Sequence, residues 1–218
     1  MRYTRFHGFE NTILDEMMEE IKEERKQPSV TSLIYCLTKG QLDQQYGANP
    51  SRTTKLYFTI GLGLERNLLV GRKKELANGE LEGISYHIDS LDNDMLVELK
   101  STRMSTSTKE WAEEYFPERI PEGWSKQLKA YCKVTNRLDA YLVVLHIIQP
   151  EISCWALEFS QEEIDENWAW LISRRDSWNY FAKSNLLPPP YQYNMGWECA
   201  NCSYNLICKA SGGSITRP

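Results

Sequence analysis

LEGISYHIDSLDNDMLVELKST, from Leu81 to Thr102, is the stretch that decides how this chain folds. Residues 81–91 and 95–102 read as two strands joined through Asp92-Asn93-Asp94. With Asn93 and Asp94 as the central turn residues, strand register opposes Asp89 to Glu98 and His87 to Lys100. Alternation puts all four on one face, with Ile88 against Leu99 on the other. Two directly opposed carboxylates repel, and a hard divalent cation with oxygen ligands, Mg2+ or Mn2+, is the natural compensation. Lys100 follows Glu98 by two, so its ammonium reaches the same pocket and can position a water or a scissile phosphate. A solvated strand face of mixed charge gives the same letters, and a short motif alone does not separate the two readings.

Outward from the hairpin, residues 53–77 read as a long helix, with Leu56, Ile60, Leu64 and Leu68 four apart and Asn78-Gly79 closing it. Gly61 and Glu65 share a face of that helix. Missing side chains at Gly61 and Gly63 allow close packing or substrate approach, at some helical cost. Glu65 among leucines is either solvent-exposed or buried as a ligand. Downstream, residues 101–123 read as irregular, 124–136 as helix, and 138–148 and 152–159 as strands. Ser160-x-x-Glu163 is a capping box that opens a helix reaching about Phe181. Gln127 and Tyr131 stand i, i+4 on the 124–136 helix, where an amide and a phenol can hold a phosphate or a water. An ordinary half-buried helix surface is the plain alternative.

Upstream, residues 10–26 read as a helix with one apolar face, and Ser29 or Thr31 caps a short helix through Cys36 and Leu37. Residues 41–52, polar and carrying Gly47 and Pro50, read as loop. The order of elements predicts a mixed α/β core with helical flanks. Three parts are expected: a helical part over 1–52, a core over 53–187 and a cysteine-bearing module over 188–218, set off by Pro188-Pro189-Pro190.

A chain of 218 residues with 41% hydrophobic content is long enough for a sizeable core and too apolar for a disordered chain. A net charge of -5 argues against a generally cationic nucleic-acid coat, but leaves room for an acidic metal site acting on phosphates. The start carries no apolar signal core, and the apolar stretch 140–148 is too short to span a bilayer, so a soluble cytoplasmic protein is expected. Its six cysteines are then not expected to form disulfides. Cys132 and Cys154 lie among apolar residues and read as small hydrophobes. Cys199, Cys202 and Cys208 form C-x2-C-x5-C, a thiolate cluster one ligand short of four. Spacing alone leaves zinc and iron–sulfur both open.

Taken in order, Cys36, Asp89, Glu98-Leu99-Lys100, Gln127-x-x-x-Tyr131 and the late cysteine cluster resemble the iron–sulfur branch of the RecB-like nucleases, within the PD-(D/E)XK superfamily. The resemblance is to the CRISPR-associated exonuclease of RecB type, the fourth Cas protein, and covers about Val30 to Lys209. It implies a restriction-endonuclease-like core: a mixed sheet flanked by helices. Glu65, Asp89, Glu98 and the Leu99 carbonyl would hold Mg2+ or Mn2+, and Lys100 would be the catalytic lysine. Gln127 and Tyr131 would support the site and contact DNA. Cys36, Cys199, Cys202 and Cys208 would hold a 4Fe-4S cluster. The family usually has His where Glu65 stands and Cys-Pro-Arg where this chain has Cys36-Leu-Thr-Lys39, and Asp89 lies closer to the Glu-x-Lys element than is common. The residues before Val30 are an extension outside the resemblance, so a viral or mobile-element relative fits as well as a CRISPR adaptation component.

The implied activity is metal-dependent hydrolysis of phosphodiester bonds in single-stranded DNA or DNA ends, with DNA and CRISPR integrase proteins as partners and no membrane. Trp111, Tyr115, Phe116 and Trp124, interleaved with Lys109, Arg119 and Lys126, suit stacking on a single strand; local packing is the alternative. The rival function is a nuclease-fold DNA-binding or scaffold subunit stapled by zinc or an iron–sulfur cluster.

Overall fold

The structure, a computed structural model, describes residues 12–13, 15–16, 28–47, 50–68, 78–92, 95–103, 120–148, 150–184, 186–188, 195–200 and 202–210. In chain order they form helices α1 (Val30–Ile34), α2 (Leu37–Tyr46) and α3 (Arg52–Leu68), then strands β1 (Asn78–Leu81), β2 (Ile84–His87), β3 (Ser90–Asp92) and β4 (Met95–Thr102). Helix α4 (Glu122–Thr135), strands β5 (Asp139–His146) and β6 (Glu151–Glu158), and helices α5 (Gln161–Ser184), α6 (Met195–Ala200) and α7 (Asn205–Ala210) follow. Thr12, Ile13, Asp15 and Glu16 are helical, in keeping with the reading of 10–26.

The main sheet has the order β3-β4-β5-β6, with β4 and β5 parallel and the two outer pairs antiparallel. A parallel pair needs a crossover, and α4 lies within it. Central β4 is covered on both faces, so Leu96, Val97 and Glu98 are buried in succession. Edge strand β6 is largely exposed. Helices α4 and α5 pack on each other, and α4 rests on β4 and β5. Leu128 and Cys132 of α4, Leu142 and Val144 of β5, and Ile164, Trp168 and Leu171 of α5 belong to one core. Each leucine buried there is worth about 1.5–3 kcal/mol. Apolar contacts thus fix α4 on the sheet.

The helix ends follow local chemistry. Asn136, at φ 54°, is a left-handed cap whose N–H donates to the Cys132 and Lys133 carbonyls. The capping box read at the start of α5 is present: Ser160 N–H donates to Glu163 Oε2 at 2.9 Å, and Glu163 N–H to Ser160 Oγ at 3.1 Å. Ser29 caps α1 and forms a reciprocal pair with Ser32. Among the described residues, no helix is long and apolar enough to cross a membrane.

Several readings are corrected. Residues 81–91 are not one strand: Glu82 and Gly83 both take positive φ, 49° and 74°, and fold β1 onto β2 as a tight hairpin. Asn78-Gly79, read as a helix end, opens β1. His87 therefore faces Asn78 and not Lys100, and the strand breaks at Ile88 and Asp89 before β3 begins. The β3–β4 register is as read, with Ser90 opposite Val97 and Asp92 opposite Met95; Asn93 and Asp94 lie outside the described residues. Residues 41–46, read as loop, complete α2, because Gln41 and Leu42 are buried and Gln41 donates to the Trp178 carbonyl at 2.9 Å. Here a tertiary contact overrides polar composition. Cys154 is exposed on β6, whereas Cys132 is buried.

The late part of the chain returns to the early part. Thr38 Oγ1 donates to the Pro188 carbonyl at 2.8 Å, and the Tyr204 hydroxyl to the Gly47 carbonyl at 3.2 Å.

Candidate active site

Strand β4 carries an acid and an amine into the middle of the sheet. Glu98 is 1% exposed. Pairing with β3 stops at Val97, and the edge beyond is met by a side chain: Asp89 Oδ2 accepts the Leu99 N–H at 2.8 Å. The Leu99 carbonyl shares that edge, since a strand residue presents both backbone groups to the same neighbour. Asp89 and Glu98 thus meet near Leu99. Asp89 arrives from a bend, replacing a ladder partner, and not as a paired strand residue.

Lys100 Nζ donates to Glu98 Oε1, and to Gln127 Oε1 at 2.9 Å. Gln127 Nε2 donates in turn to the Tyr131 hydroxyl at 2.8 Å. Gln127 is 8% and Tyr131 2% exposed, so this chain of bonds is shielded from water. Burial pushes the Glu98 carboxyl up to about 8; Asp89 adds to the rise and Lys100 opposes it. Burial pulls the Lys100 ammonium down, but Glu98 and Asp89 outweigh it and the net shift is upward. Both groups are thus shifted upward while Lys100 and Glu98 stay in direct contact.

Glu98 Oε2 is buried without a hydrogen-bond partner. A buried carboxyl that is shifted upward and leaves one oxygen unpaired sits in a site short of positive charge. The donor set of Asp89, Glu98 and the Leu99 carbonyl is all hard oxygen and fits Mg2+ or Mn2+ in type. Among the described residues, no three His, Cys, Asp or Glu side chains are grouped so as to hold a metal ion. A third acid would have to come from elsewhere.

Glu65 belongs to α3, and its side chain lies outside the described residues. Helix α3 does run over β4. Arg103 Nη1 donates to the Tyr57 hydroxyl at 2.8 Å, and a Cβ placed on Gly61 would lie 3.7 Å from Ser101 Oγ. As the helix advances one turn, its contact steps back along β4 toward Lys100, and Glu65 sits on the following turn.

No protein-family model matches this chain, and neither does any curated protein. Its fold has solved neighbours. One is the crystal structure of SSO0001, with a TM-score of 0.58 and 17% identity over 93% of this chain and 96% of that one. Another is a phage-related exonuclease from Haemophilus somnus 129PT, with a TM-score of 0.52 and 12% identity over 79% of this chain and 95% of that one. The likeness is one of fold.

Four of the cysteines come from elements other than β4 and α4. Cys36 is the N-cap of α2, Cys199 lies in α6, Cys208 in α7 and Cys202 between them. Burial raises the Cys199 thiol, and Cys36, Cys202 and Cys208 raise it further; Cys208 likewise feels Cys36 and Cys202. Four thiols from the two ends of the chain therefore share one neighbourhood. Their number and type suit a thiolate-held centre, although they are not drawn around one ion.

Two residues here went unread in the sequence. Arg174, 9% exposed, donates to the Leu33 carbonyl and to the Tyr35 carbonyl, the latter at 2.6 Å. It clamps the segment leading into Cys36. A helical arginine ordinarily reads as solvent-facing; the available signal was its place between Leu171 and Trp178 on the buried stripe of α5. The second is Tyr35, the residue before Cys36. Of the loop set, Trp124 packs against the core and the Lys126 ammonium lies 3.6 Å over the Trp170 ring. Lys109, Trp111, Tyr115, Phe116 and Arg119 lie outside the described residues.

Proposed function

We propose that this protein is a metal-dependent deoxyribonuclease that hydrolyses phosphodiester bonds in single-stranded DNA or at DNA ends. The observation that carries the reading is Glu98: buried on the central strand of the sheet, with one oxygen unpaired, beside Asp89 and Lys100. Glu65, Asp89, Glu98 and the Leu99 carbonyl would hold Mg2+ or Mn2+. That ion would supply Lewis acidity at the phosphate and make a water easier to deprotonate. Lys100, bonded to Glu98 and Gln127, presents a charged donor where negative charge develops on the phosphoryl group. Gln127 and Tyr131 restrict where that ammonium can point.

In this reading Cys36, Cys199, Cys202 and Cys208 hold a 4Fe-4S cluster that joins the two ends of the chain. A cluster binds each thiolate through a different iron, which suits four thiols gathered in one region but not around one point. The protein would serve CRISPR adaptation, beside integrase proteins, or the processing of viral and host DNA in the cytoplasm.

The test is incubation of the purified protein with end-labelled single-stranded DNA and Mn2+. Cleavage is expected, and Glu98→Ala or Lys100→Ala should reduce it at least about 100-fold, since outer-shell changes alone cost about 10–100-fold. Cleavage that survives both substitutions overturns the site. Absence of cleavage by the wild type, with DNA retained on the protein, leaves the DNA-binding or scaffold subunit. Broad visible absorption that is lost in Cys199→Ser supports the cluster; a colourless, zinc-loaded protein refutes it.

A further inference from the structure

We infer that Tyr35 is a positioning residue of this site, its hydroxyl restraining Lys100 and Gln127 from the start of α4. The assay by cleavage rests on the nuclease reading; the geometry does not. Tyr35 lies between α1 and α2, directly before Cys36. A Cβ placed on Gly123 would lie 3.3 Å from the Tyr35 hydroxyl and 3.7 Å from its ring edge. The phenol therefore rests on the α4 backbone where that helix carries no side chain. Gly123, Gln127 and Tyr131 recur every four residues, so the Tyr35 phenol, the Gln127 amide and the Tyr131 phenol follow one stripe. The middle member of that stripe holds Lys100 at 2.9 Å.

Tyr35 also lies within electrostatic reach of Lys100, Glu98 and Glu198. Burial, helped by the two acids, keeps its phenol above the ordinary value against the pull of Lys100, so it acts as a neutral hydroxyl. A hydroxyl at the Gly123 end of the stripe can offer a lone pair toward the Lys100 ammonium without cancelling its charge. It limits the directions the ammonium takes and leaves that charge available to a phosphate. The backbone end is fixed as well, because Arg174 holds the Leu33 and Tyr35 carbonyls. A tyrosine that only filled space would not need its hydroxyl end seated over a glycine on the stripe that grips Lys100.

Two variants test this in the full chain as purified. Tyr35→Phe removes the hydroxyl alone. Gly123→Ala leaves Tyr35 intact and crowds its hydroxyl from below, while alanine suits a helix better than glycine does. Each is expected to lower kcat on single-stranded DNA with Mn2+ roughly tenfold, with KM within about twofold, the scale of one hydrogen bond at a reacting group. Gly123→Ala is expected to do so without lowering Tm. An independent readout is the acetylation rate of Lys100 followed by mass spectrometry in protein stripped of divalent ions. Tyr35→Phe is expected to raise it roughly fivefold. An unchanged Lys100 acetylation rate in Tyr35→Phe, or unchanged kcat in both variants, overturns the inference. A wild type that cleaves nothing removes the nuclease reading and leaves the acetylation rate to decide the role of Tyr35.

Discussion

Replacing Glu98 with glutamine is expected to stabilise the protein freed of divalent ions, by an amount that grows with pH. The ordinary value for this carboxyl is 4.5, and in the folded chain it is about 8. Below pH 4.5 the folded and unfolded states both hold the proton, and ionisation costs folding nothing. Between the two values only the folded state holds it, so stability falls as pH rises. The slope is about 1.4 kcal/mol per pH unit, which comes to about 3 kcal/mol at pH 7. Above about 8 both states have lost the proton and the penalty is constant. Glutamine keeps an oxygen for Lys100 and removes the titration, so its curve lacks this slope. The assay is urea unfolding of both proteins in steps from about pH 5 to about pH 8. Added Mn2+ reverses the order: saturation about 100-fold above its Kd stabilises the wild type by about 2.7 kcal/mol, and the variant by less. Parallel pH curves for the two stripped proteins would refute the proton on Glu98 and, with it, the charge-deficient site.

Other residues give independent checks. Arg174→Ala removes a buried cation that serves two carbonyls and is expected to cost about 2–4 kcal/mol in denaturant unfolding, with loss of any cysteine-held chromophore. The Ser160 N–H, with Lys129, holds the Glu163 carboxyl below its ordinary value. The stability it contributes is present above that ordinary value and is lost as pH falls through the lower folded one. Glu163→Ala is accordingly expected to cost about 0.5–1 kcal/mol at neutral pH, with the gap to wild type closing in acid. Burial pushes the Cys132 thiol up to about 12, whereas Cys154 is exposed. Iodoacetamide near neutral pH is expected to label Cys154 and spare Cys132, as read by peptide mass; prompt labelling of Cys132 would mean that α4 is not packed as described.

The parts of the fold that could be read from the chain are those set by local rules. The Ser160 and Glu163 box, the alternation in β5 and the i, i+4 pair on α4 depend only on near neighbours, and all three are present. The misreadings come from tertiary choice. A glutamic acid at positive φ in the β1–β2 turn is unusual, and Asn78-Gly79 nearby offered the more familiar turn signal. Gln41 and Leu42 are helical because α5 is there to receive them. Arg174 and Tyr35 have ordinary identities, and the carbonyls that Arg174 serves lie far along the chain, where no window of sequence reaches. The register of residues 90–92 against 95–97 was legible, but the placing of Asp89 at the Leu99 N–H was not, because the chain bends there and leaves the ladder.

On the proposed reading, that break in the ladder is the feature on which the chemistry turns. Had residues 81–91 continued as one strand, β3 would have paired past Val97 and consumed the Leu99 N–H and carbonyl in a ladder. Asp89 would then have stood opposite Glu98 as one more strand residue, with no backbone edge between them. Instead β2 leaves to pair with β1, and the chain bends at Asp89. A carboxylate takes the place of a strand at the Leu99 N–H. One backbone bond is kept and a side chain is gained at the same spot. Lengthening β3 by redesign of residues 87–89 is therefore expected to preserve or raise stability while removing Mn2+ binding, measured by calorimetry. Retained binding in such a variant would show that the bend at Asp89 is incidental to the site.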